Sequence, residues 1–339
     1  MKAETSPKLP DIARQATAFR PAWWLQNRHA QTIASRLLRP RLDIPLRRER
    51  IDTPDGDFVD LDFADAGLPK DAPLVLLLHG LEGSARRGYA LNTYRELAAR
   101  GIRAVGLNFR GCSGEPNRLA RYYHSGDTED VRHVVRLLMD RFPDVPRAAI
   151  GFSLGGNVLL KYLGEEGDAA CAAFRAAAAI SVPYDLEAGA RFLTRSFMGR
   201  FYTNHFLRSL RARVRQKLPL LEGVVDWARV QAARTFHEFD DAATAPIHGF
   251  RDASDYYRRS SCGPLLDRIR VRTLLVHAED DPITPPSTIP RDAVARNPNL
   301  IPAFTRQGGH VGFISGGTPW APVFWAERLA AEFLAAHLH

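Results

Sequence analysis

The stretch AAIGFSLGGNVLLK, residues 148–161, decides which fold class the sequence predicts. An apolar run ends in GFSLG, residues 151–155, and a helical pattern follows without a break. A serine at such a strand-to-helix turn is typical of a nucleophile elbow. Gly151 and Gly155 leave room for a backbone that is forced toward positive φ at Ser153. We therefore expect Ser153 to project its hydroxyl from the edge of a sheet, although an ordinary glycine-rich turn has the same pattern.

The residues on either side of this stretch predict an α/β fold. Apolar strands and helical patterns alternate over residues 74–182, which indicates a parallel, doubly wound sheet. Residues 47–63 predict an antiparallel hairpin at the sheet edge, with the turn TPDGD between its strands. Further strands are expected at 102–109, 172–180, 272–277 and 300–306, and a closing helix at 320–338.

A long segment from Leu186 to about Ser261 interrupts the alternation with helical patterns. We expect it to form a helical cap within a single domain over residues 21–339, whereas the polar residues 1–20 are predicted to be flexible. The segment interleaves aromatic residues with cations, and this composition favours contact with an anionic membrane surface. A solvated basic face would have the same composition. The cations are Arg191, Arg195, Arg200, Arg208, Arg211, Arg213, Arg215 and Lys217.

Two backbone N–H groups are candidates for an oxyanion hole. Leu154 follows Ser153 directly, so its N–H would point from a helix N-terminus toward developing negative charge. The apolar strand near residues 74–78 ends in HGLEG, residues 79–83. The loop after this strand supplies the second donor in folds with a nucleophile elbow, and by position we assign it to Leu81. An ordinary glycine turn is the alternative at Leu81.

An acid and a base follow the last two predicted strands. Asp281 is the candidate acid, because a carboxylate at a strand end can accept a hydrogen bond from an imidazole and stabilise its cation. Asp280 is the neighbouring alternative, and Asp185 is a more remote one. His310 lies on the loop after the final strand and is the candidate base. The chain order Ser153, Asp281, His310 is the one expected of this fold.

Composition narrows the functional classes. The chain of 339 residues has a net charge of +8, but it has no basic tail or nucleic-acid motif, so no nucleic-acid partner is predicted. Its three cysteines have neither zinc-site nor disulfide spacing and are expected to be free thiols in a reducing compartment. No secretory signal and no run of about 18 apolar residues is present, which predicts a cytoplasmic protein. Oligomeric state is not predicted.

Several motifs together resemble the YheT-like family of α/β-hydrolases, which includes eukaryotic abhydrolase-domain lipases. The resemblance spans residues 22–335, and the motifs are WLQNRHAQTI, HGLEGS, GFSLGGN, FDDAATAPIHGF, HAEDDP and GGHVGF. It implies hydrolysis of carboxylic esters, with the nucleophile matched to Ser153, the acid to Asp281 and the base to His310. It implies neither a metal nor an organic cofactor.

Three functions compete at this point. The first is a serine esterase that acts on a small-molecule or lipid ester through an acyl-enzyme. The second is a lipase or phospholipase that acts on acylglycerols or phospholipids at a membrane surface, suggested by the basic cap and by the adjacent Trp23 and Trp24. The third is a non-catalytic binding protein, because this fold also hosts such proteins.

Overall fold

An eight-stranded sheet runs through the centre of the protein in a computed structural model that describes residues 19–339. Its order is β1-β2-β4-β3-β5-β6-β7-β8; β2 pairs antiparallel with β1 and β4, and all other pairs are parallel. The predicted parallel sheet with an N-terminal antiparallel hairpin is therefore confirmed. The strands are β1 (Arg47–Asp52), β2 (Phe58–Ala64), β3 (Leu74–Leu78), β4 (Arg103–Asn108), β5 (Arg147–Phe152), β6 (Ala176–Ile180), β7 (Arg272–Ala278) and β8 (Leu300–Thr305).

Helices cover both faces of this sheet. The helices are α1 (Arg28–Leu37), α2 (Gly88–Ala98), α3 (Glu129–Arg141), α4 (Leu154–Glu166), α5 (Ala170–Ala173), α6 (Leu186–Thr194), α7 (Phe197–Gln216), α8 (Trp227–Ala232), α9 (Phe236–Phe239), α10 (Ala245–His248), α11 (Ala253–Ser260), α12 (Arg291–Arg296) and α13 (Trp325–Leu338). Successive residues of β3 enter opposite cores: Leu76 packs with α3 and α4, and Leu77 packs with α2 and α13. This alternation follows from the two-residue period of a strand.

Six helices, α6 to α11, lie between β6 and β7 and correspond to the helical segment predicted from Leu186 to about Ser261. We call residues 186–260 the helical insertion. Two of its eight candidate surface cations face inward: Arg213 pairs with Glu82, and the buried Lys217 donates to the carbonyl of Asn117. The exposed basic face is therefore smaller than the sequence suggested.

The structure corrects three local expectations. Residues 170–173 form a short helix that ends before Phe174, so β6 starts at Ala176 rather than at 172. The last helix begins at Trp325 rather than at 320, because residues 323–324 pair with residues 314–315 as a short antiparallel ladder. Adjacent tryptophans usually pack onto the protein body, but Trp23 is 73% exposed. A flexible segment was predicted over residues 1–20. Residues 1–18 of it lie outside the part of the chain that the structure describes.

Candidate active site

Ser153 occupies a strained turn between β5 and α4. Its φ is 51°, a value that residues other than glycine rarely adopt. The turn is possible because no side chain obstructs it at the flanking glycines. A Cβ at Gly155 would lie 2.4 Å from the carbonyl oxygens of Leu78 and His79, and one at Gly151 would lie 2.5 Å from the carbonyl oxygen of Gly155. The close packing of this turn against the end of β3 fixes the direction of the serine side chain.

The structure brings Ser153, His310 and Asp281 into one hydrogen-bonded chain. His310 Nε2 lies 2.8 Å from Ser153 Oγ, and His310 Nδ1 lies 2.7 Å from Asp281 Oδ2. A carboxylate can only accept hydrogen bonds, so Nδ1 carries the proton and donates a hydrogen bond to Asp281. The unprotonated Nε2 then accepts from the serine hydroxyl. In this arrangement His310 can act as a base toward Ser153.

Asp281 is held as an anion inside the protein, where only 1% of it is exposed. Burial alone would raise the pKa of its carboxyl, but the adjacent His310 ring and the N–H of Ile283 outweigh burial and lower the pKa. Its Oδ1 accepts from the N–H groups of Ile283 at 2.8 Å and Thr284 at 3.1 Å. These donors leave Oδ2 directed at the imidazole.

Neither alternative carboxylate bonds to the imidazole. Asp280 Oδ1 accepts a hydrogen bond of 2.9 Å from the N–H of Gly309, and burial raises the pKa of its carboxyl. Asp185 caps the N-terminus of α6, where it accepts from the N–H of Ala188 at 2.9 Å. Asp280 thus supports the loop that carries His310, and Asp185 caps the first helix of the helical insertion.

Three side chains from separate parts of the chain hold the loop of His310. Besides the bond from Gly309 to Asp280, the His310 N–H donates to Thr32 Oγ1 and the Val311 N–H donates to Ser181 Oγ, each at 2.9 Å. These anchors stabilise a strained backbone, because φ is 52° at Val311.

The sequence reasoning missed Thr32 and Ser181 as parts of this site. The available signal was the polar pair Gln31-Thr32 within the motif WLQNRHAQTI. Gln31 is fully buried, and it both accepts from the N–H of Ile314 at 2.7 Å and donates to the carbonyl of Ile314 at 2.9 Å. Helix α1 therefore fixes the chain on the C-terminal side of His310 as well.

In the loop after β3, tyrosine hydroxyls accept from the two N–H groups that flank Leu81. Gly80 N–H donates to the hydroxyl of Tyr89 at 2.9 Å, and Glu82 N–H donates to the hydroxyl of Tyr123 at 2.8 Å. Between them, the Leu81 N–H has no acceptor among the described residues. Leu154 is the first residue of α4, and the N–H groups of a first helical turn have no partner inside the helix.

A buried ion pair joins this loop to the helical insertion. Arg213 on α7 lies 2.9 Å from the carboxylate of Glu82, and both side chains are 12% exposed. Glu82 also accepts from the hydroxyl of Tyr123 at 2.9 Å. The φ of Glu82 is 52°, so these contacts stabilise a strained residue directly beside Leu81.

Three further features bear on the chemistry of the described chain. Within residues 19–339, no group of three or more His, Cys, Asp or Glu side chains is arranged to hold a metal ion. None of the helices in the same range combines the length and the hydropathy that crossing a membrane requires. The three cysteines are free thiols.

Comparisons with known proteins place this geometry in context. Residues 73–317 match the family described as the alpha/beta hydrolase fold. The predicted esterase YheT of Escherichia coli K12 is 40% identical over 323 residues, which are 94% of each chain. Mouse phospholipase ABHD3 is 30% identical over 324 residues, 94% of this chain and 78% of the mouse protein.

A solved structure has the same fold at low sequence identity. The esterase Pf2001 of Pyrococcus furiosus superposes with a TM-score of 0.54, covering 87% of this chain and 94% of the esterase. The two sequences are 18% identical, so this likeness concerns the fold alone.

Proposed function

Because the chain belongs to the α/β-hydrolase family, and within it to the group that contains YheT, we propose that it hydrolyses carboxylic esters through an acyl-enzyme on Ser153. The resemblance predicted from the sequence motifs is confirmed by these relatives. The roles of individual residues are our proposal, and they are supported by the distances around His310. An ester is the substrate class that this arrangement and the names of the relatives both favour.

In the first half-reaction, His310 Nε2 takes the proton of the Ser153 hydroxyl as Oγ attacks the ester carbonyl. The carbonyl oxygen becomes an oxyanion, which accepts hydrogen bonds from the N–H groups of Leu81 and Leu154. The bond to the alcohol oxygen then breaks, and His310 gives its proton to the departing alcohol. The acyl group stays on Ser153 as an ester.

In the second half-reaction, water attacks the acyl carbon while His310 Nε2 takes one of its protons. The bond to Ser153 Oγ breaks, the serine recovers its proton from His310, and the carboxylic acid leaves. Asp281 stabilises the imidazolium cation that forms in both halves. Each oxyanion donor would contribute about 2.7 to 4 kcal/mol of transition-state stabilisation.

One observation carries this proposal: the serine hydroxyl and a buried carboxylate lie 2.8 Å and 2.7 Å from opposite nitrogens of the same imidazole. Hydrolysis of p-nitrophenyl esters with increasing acyl length, by the wild-type protein and by Ser153→Ala, tests it. We expect hydrolysis by the wild-type protein and loss of nearly all of it in the variant. Equal non-zero rates would show that Ser153 is not the nucleophile, and hydrolysis by neither protein would favour a non-catalytic binding protein; either result would overturn the proposal.

The same assay separates two substrate classes. A preference for short acyl chains would favour a small soluble ester, whereas a preference for long chains would favour acylglycerols or phospholipids. The lipid alternative is supported by the relative named as a phospholipase and by aromatic side chains exposed on α7. We further propose a cytoplasmic location, because free thiols are typical of a reducing compartment.

A further inference from the structure

Most of the large apolar side chains that the described residues expose lie on three segments near His310. There are nine such side chains in residues 19–339, and seven of them belong to segments 19–42, 188–217 and 310–326. We call these seven side chains the rim face. They are Trp23, Ile33, Leu37, Phe197, Phe201, Trp320 and Val323.

The rim face is one surface because its three segments contact each other. The side chains of His29 on α1 and Tyr202 on α7 lie 3.0 Å apart, and those of Arg36 and His205 lie 3.2 Å apart. The indole of Trp23 donates to the carbonyl of Gly317 at 2.9 Å. Within each helix the apolar members are four residues apart, as in Phe197 and Phe201, so they share a helix face.

The charge of this surface is predominantly positive, although the exposed Asp43 follows the first of its segments and Glu187, which pairs with Arg191, precedes the second. The chain contains 38 acidic residues, yet segments 19–42, 188–217 and 310–326 contain none. Segment 19–42 contains five arginines, of which Arg39 pairs with the buried Glu327, and segment 188–217 contains seven arginines and one lysine, of which Arg213 and Lys217 face inward. Those exposed beside the rim face include Arg28, Arg36, Arg41, Arg200 and Arg208.

The same two helices border the site of Ser153. Thr32 on α1 accepts from the N–H of His310. Tyr202 on α7 is buried near Asp281. Burial, and to a smaller extent the negative charge of Asp281, raises the pKa of the Tyr202 hydroxyl to about 12. A partner that binds the rim face would therefore contact α1 and α7, the two helices that border the candidate catalytic residues.

We propose that the rim face docks this protein on the surface of a bilayer that contains anionic phospholipids. Aromatic and aliphatic side chains next to arginines are typical of helices that lie in the headgroup region, and anionic lipids attract the cations. A second copy of the chain fits poorly, because the same positive surface would face itself. Docking does not require catalysis, but the consequence that the enzyme takes its esters from the bilayer rests on the function proposed above.

Vesicle flotation tests the proposal with the Ser153→Ala protein, which separates docking from hydrolysis. We expect binding to vesicles of phosphatidylcholine mixed with phosphatidylglycerol, weaker binding at raised salt, and little binding to pure phosphatidylcholine.

Arg200→Gln and Arg208→Gln should each lower the partition coefficient roughly five-fold. Phe197→Ser with Phe201→Ser should lower it further. When the same substitutions are made in protein that keeps Ser153, each variant should hydrolyse a water-soluble ester at the wild-type rate.

Matched controls use positions away from the rim face. Leu220 and Val224 are the two remaining exposed apolar side chains, and they lie past the far end of α7, which is about 30 Å long. Arg175 and Arg270 precede β6 and β7, so they lie at the opposite edge of the sheet. Leu220→Ser with Val224→Ser, and Arg175→Gln with Arg270→Gln, should bind like the parent protein.

Three results would overturn the docking proposal. One is the absence of binding to the anionic vesicles, and another is an equal loss of binding in the control variants. The third is a change in oligomeric state, measured by light scattering, when the rim face is substituted, because that would assign the surface to a second copy. None of these results depends on whether Ser153 hydrolyses an ester.

Discussion

The hydroxyl oxygen of Thr32 accepts a hydrogen bond of 2.9 Å from the backbone N–H of His310, a residue 278 positions further along the chain. The same hydroxyl donates its proton in a hydrogen bond of 2.8 Å to the carbonyl of Arg28. Its oxygen is therefore available as the acceptor for the N–H of His310. Helix α1 thereby positions the candidate base, although none of its residues belongs to the proposed triad.

Thr32→Val tests this positioning role, because it removes the hydroxyl and keeps the shape. A lost hydrogen bond of this kind is worth about 1 kcal/mol, so we expect kcat to fall roughly five-fold with little change in KM. Thr32→Ser restores the acceptor and should recover most of the activity. Steady-state kinetics on a soluble ester measure both variants. If Thr32→Ser is as slow as Thr32→Val, the hydroxyl is not what positions His310.

The two adjacent aspartates should differ sharply on substitution. Asp281→Asn replaces the carboxylate that accepts from His310 Nδ1, which favours the wrong tautomer, and we expect kcat to fall by roughly 10⁴-fold. Asp280→Asn keeps an oxygen that can accept from the N–H of Gly309, so its effect should be less than about ten-fold. Kinetics of the two variants in parallel check this. Equal losses, or a larger loss at Asp280, would assign the acid to the wrong residue.

Gly155 and Gly189 form a matched pair for testing the elbow. A Cβ at Gly155 would overlap two carbonyl oxygens at 2.4 Å, whereas a Cβ at Gly189 in α6 meets nothing within 4 Å. We expect Gly155→Ala to lower the free energy of unfolding by at least about 1 to 3 kcal/mol and to abolish ester hydrolysis. Gly189→Ala should leave both unchanged or stabilise the helix by up to about 1 kcal/mol. Denaturant unfolding measures the difference, and a stable, active Gly155→Ala would contradict the packing described here.

A buried histidine should make stability depend on pH. Burial lowers the pKa of His277 from 6.5 to about 4, and its Nε2 lies 3.0 Å from the hydroxyl of Thr284. The stability linked to this group is present above pH 6.5 and is lost as the pH falls toward 4, because only the unfolded chain takes up the proton in that range.

His277→Gln isolates that contribution. Between pH 6.5 and 4, the free energy of unfolding of the wild-type protein should fall faster than that of the variant, by about 1.4 kcal/mol per pH unit. Urea unfolding of both proteins across this range gives the difference. A difference in stability that stays constant with pH would contradict the assignment.

Local patterns sufficed to predict most of the fold and the positions of the candidate triad. The elbow is encoded by five adjacent residues, and parallel strands bring the residues that follow them to one edge of the sheet. Ser153, Asp281 and His310 each follow a strand, so their meeting in the structure agrees with a prediction that needed only strand positions.

Features that depend on distant contacts or on a single residue of register are not determined by local patterns. The polar pair Gln31-Thr32 marks a structured segment but does not identify its partner, since Thr32 and His310 meet only through the tertiary fold. The choice between Asp280 and Asp281 depends on the direction in which each side chain leaves the turn after β7. The exposure of Trp23 likewise depends on how segment 19–42 packs against the rest of the protein.

The most direct test of the central claim is to trap the acyl-enzyme. The folded protein is treated with a fluorophosphonate probe or with a slowly released p-nitrophenyl ester, digested, and examined by mass spectrometry. We expect one modified residue, Ser153, with labelling strongly reduced in His310→Ala and absent in Ser153→Ala. An unlabelled Ser153 in active protein, or labelling that is as fast without His310, would contradict the claim.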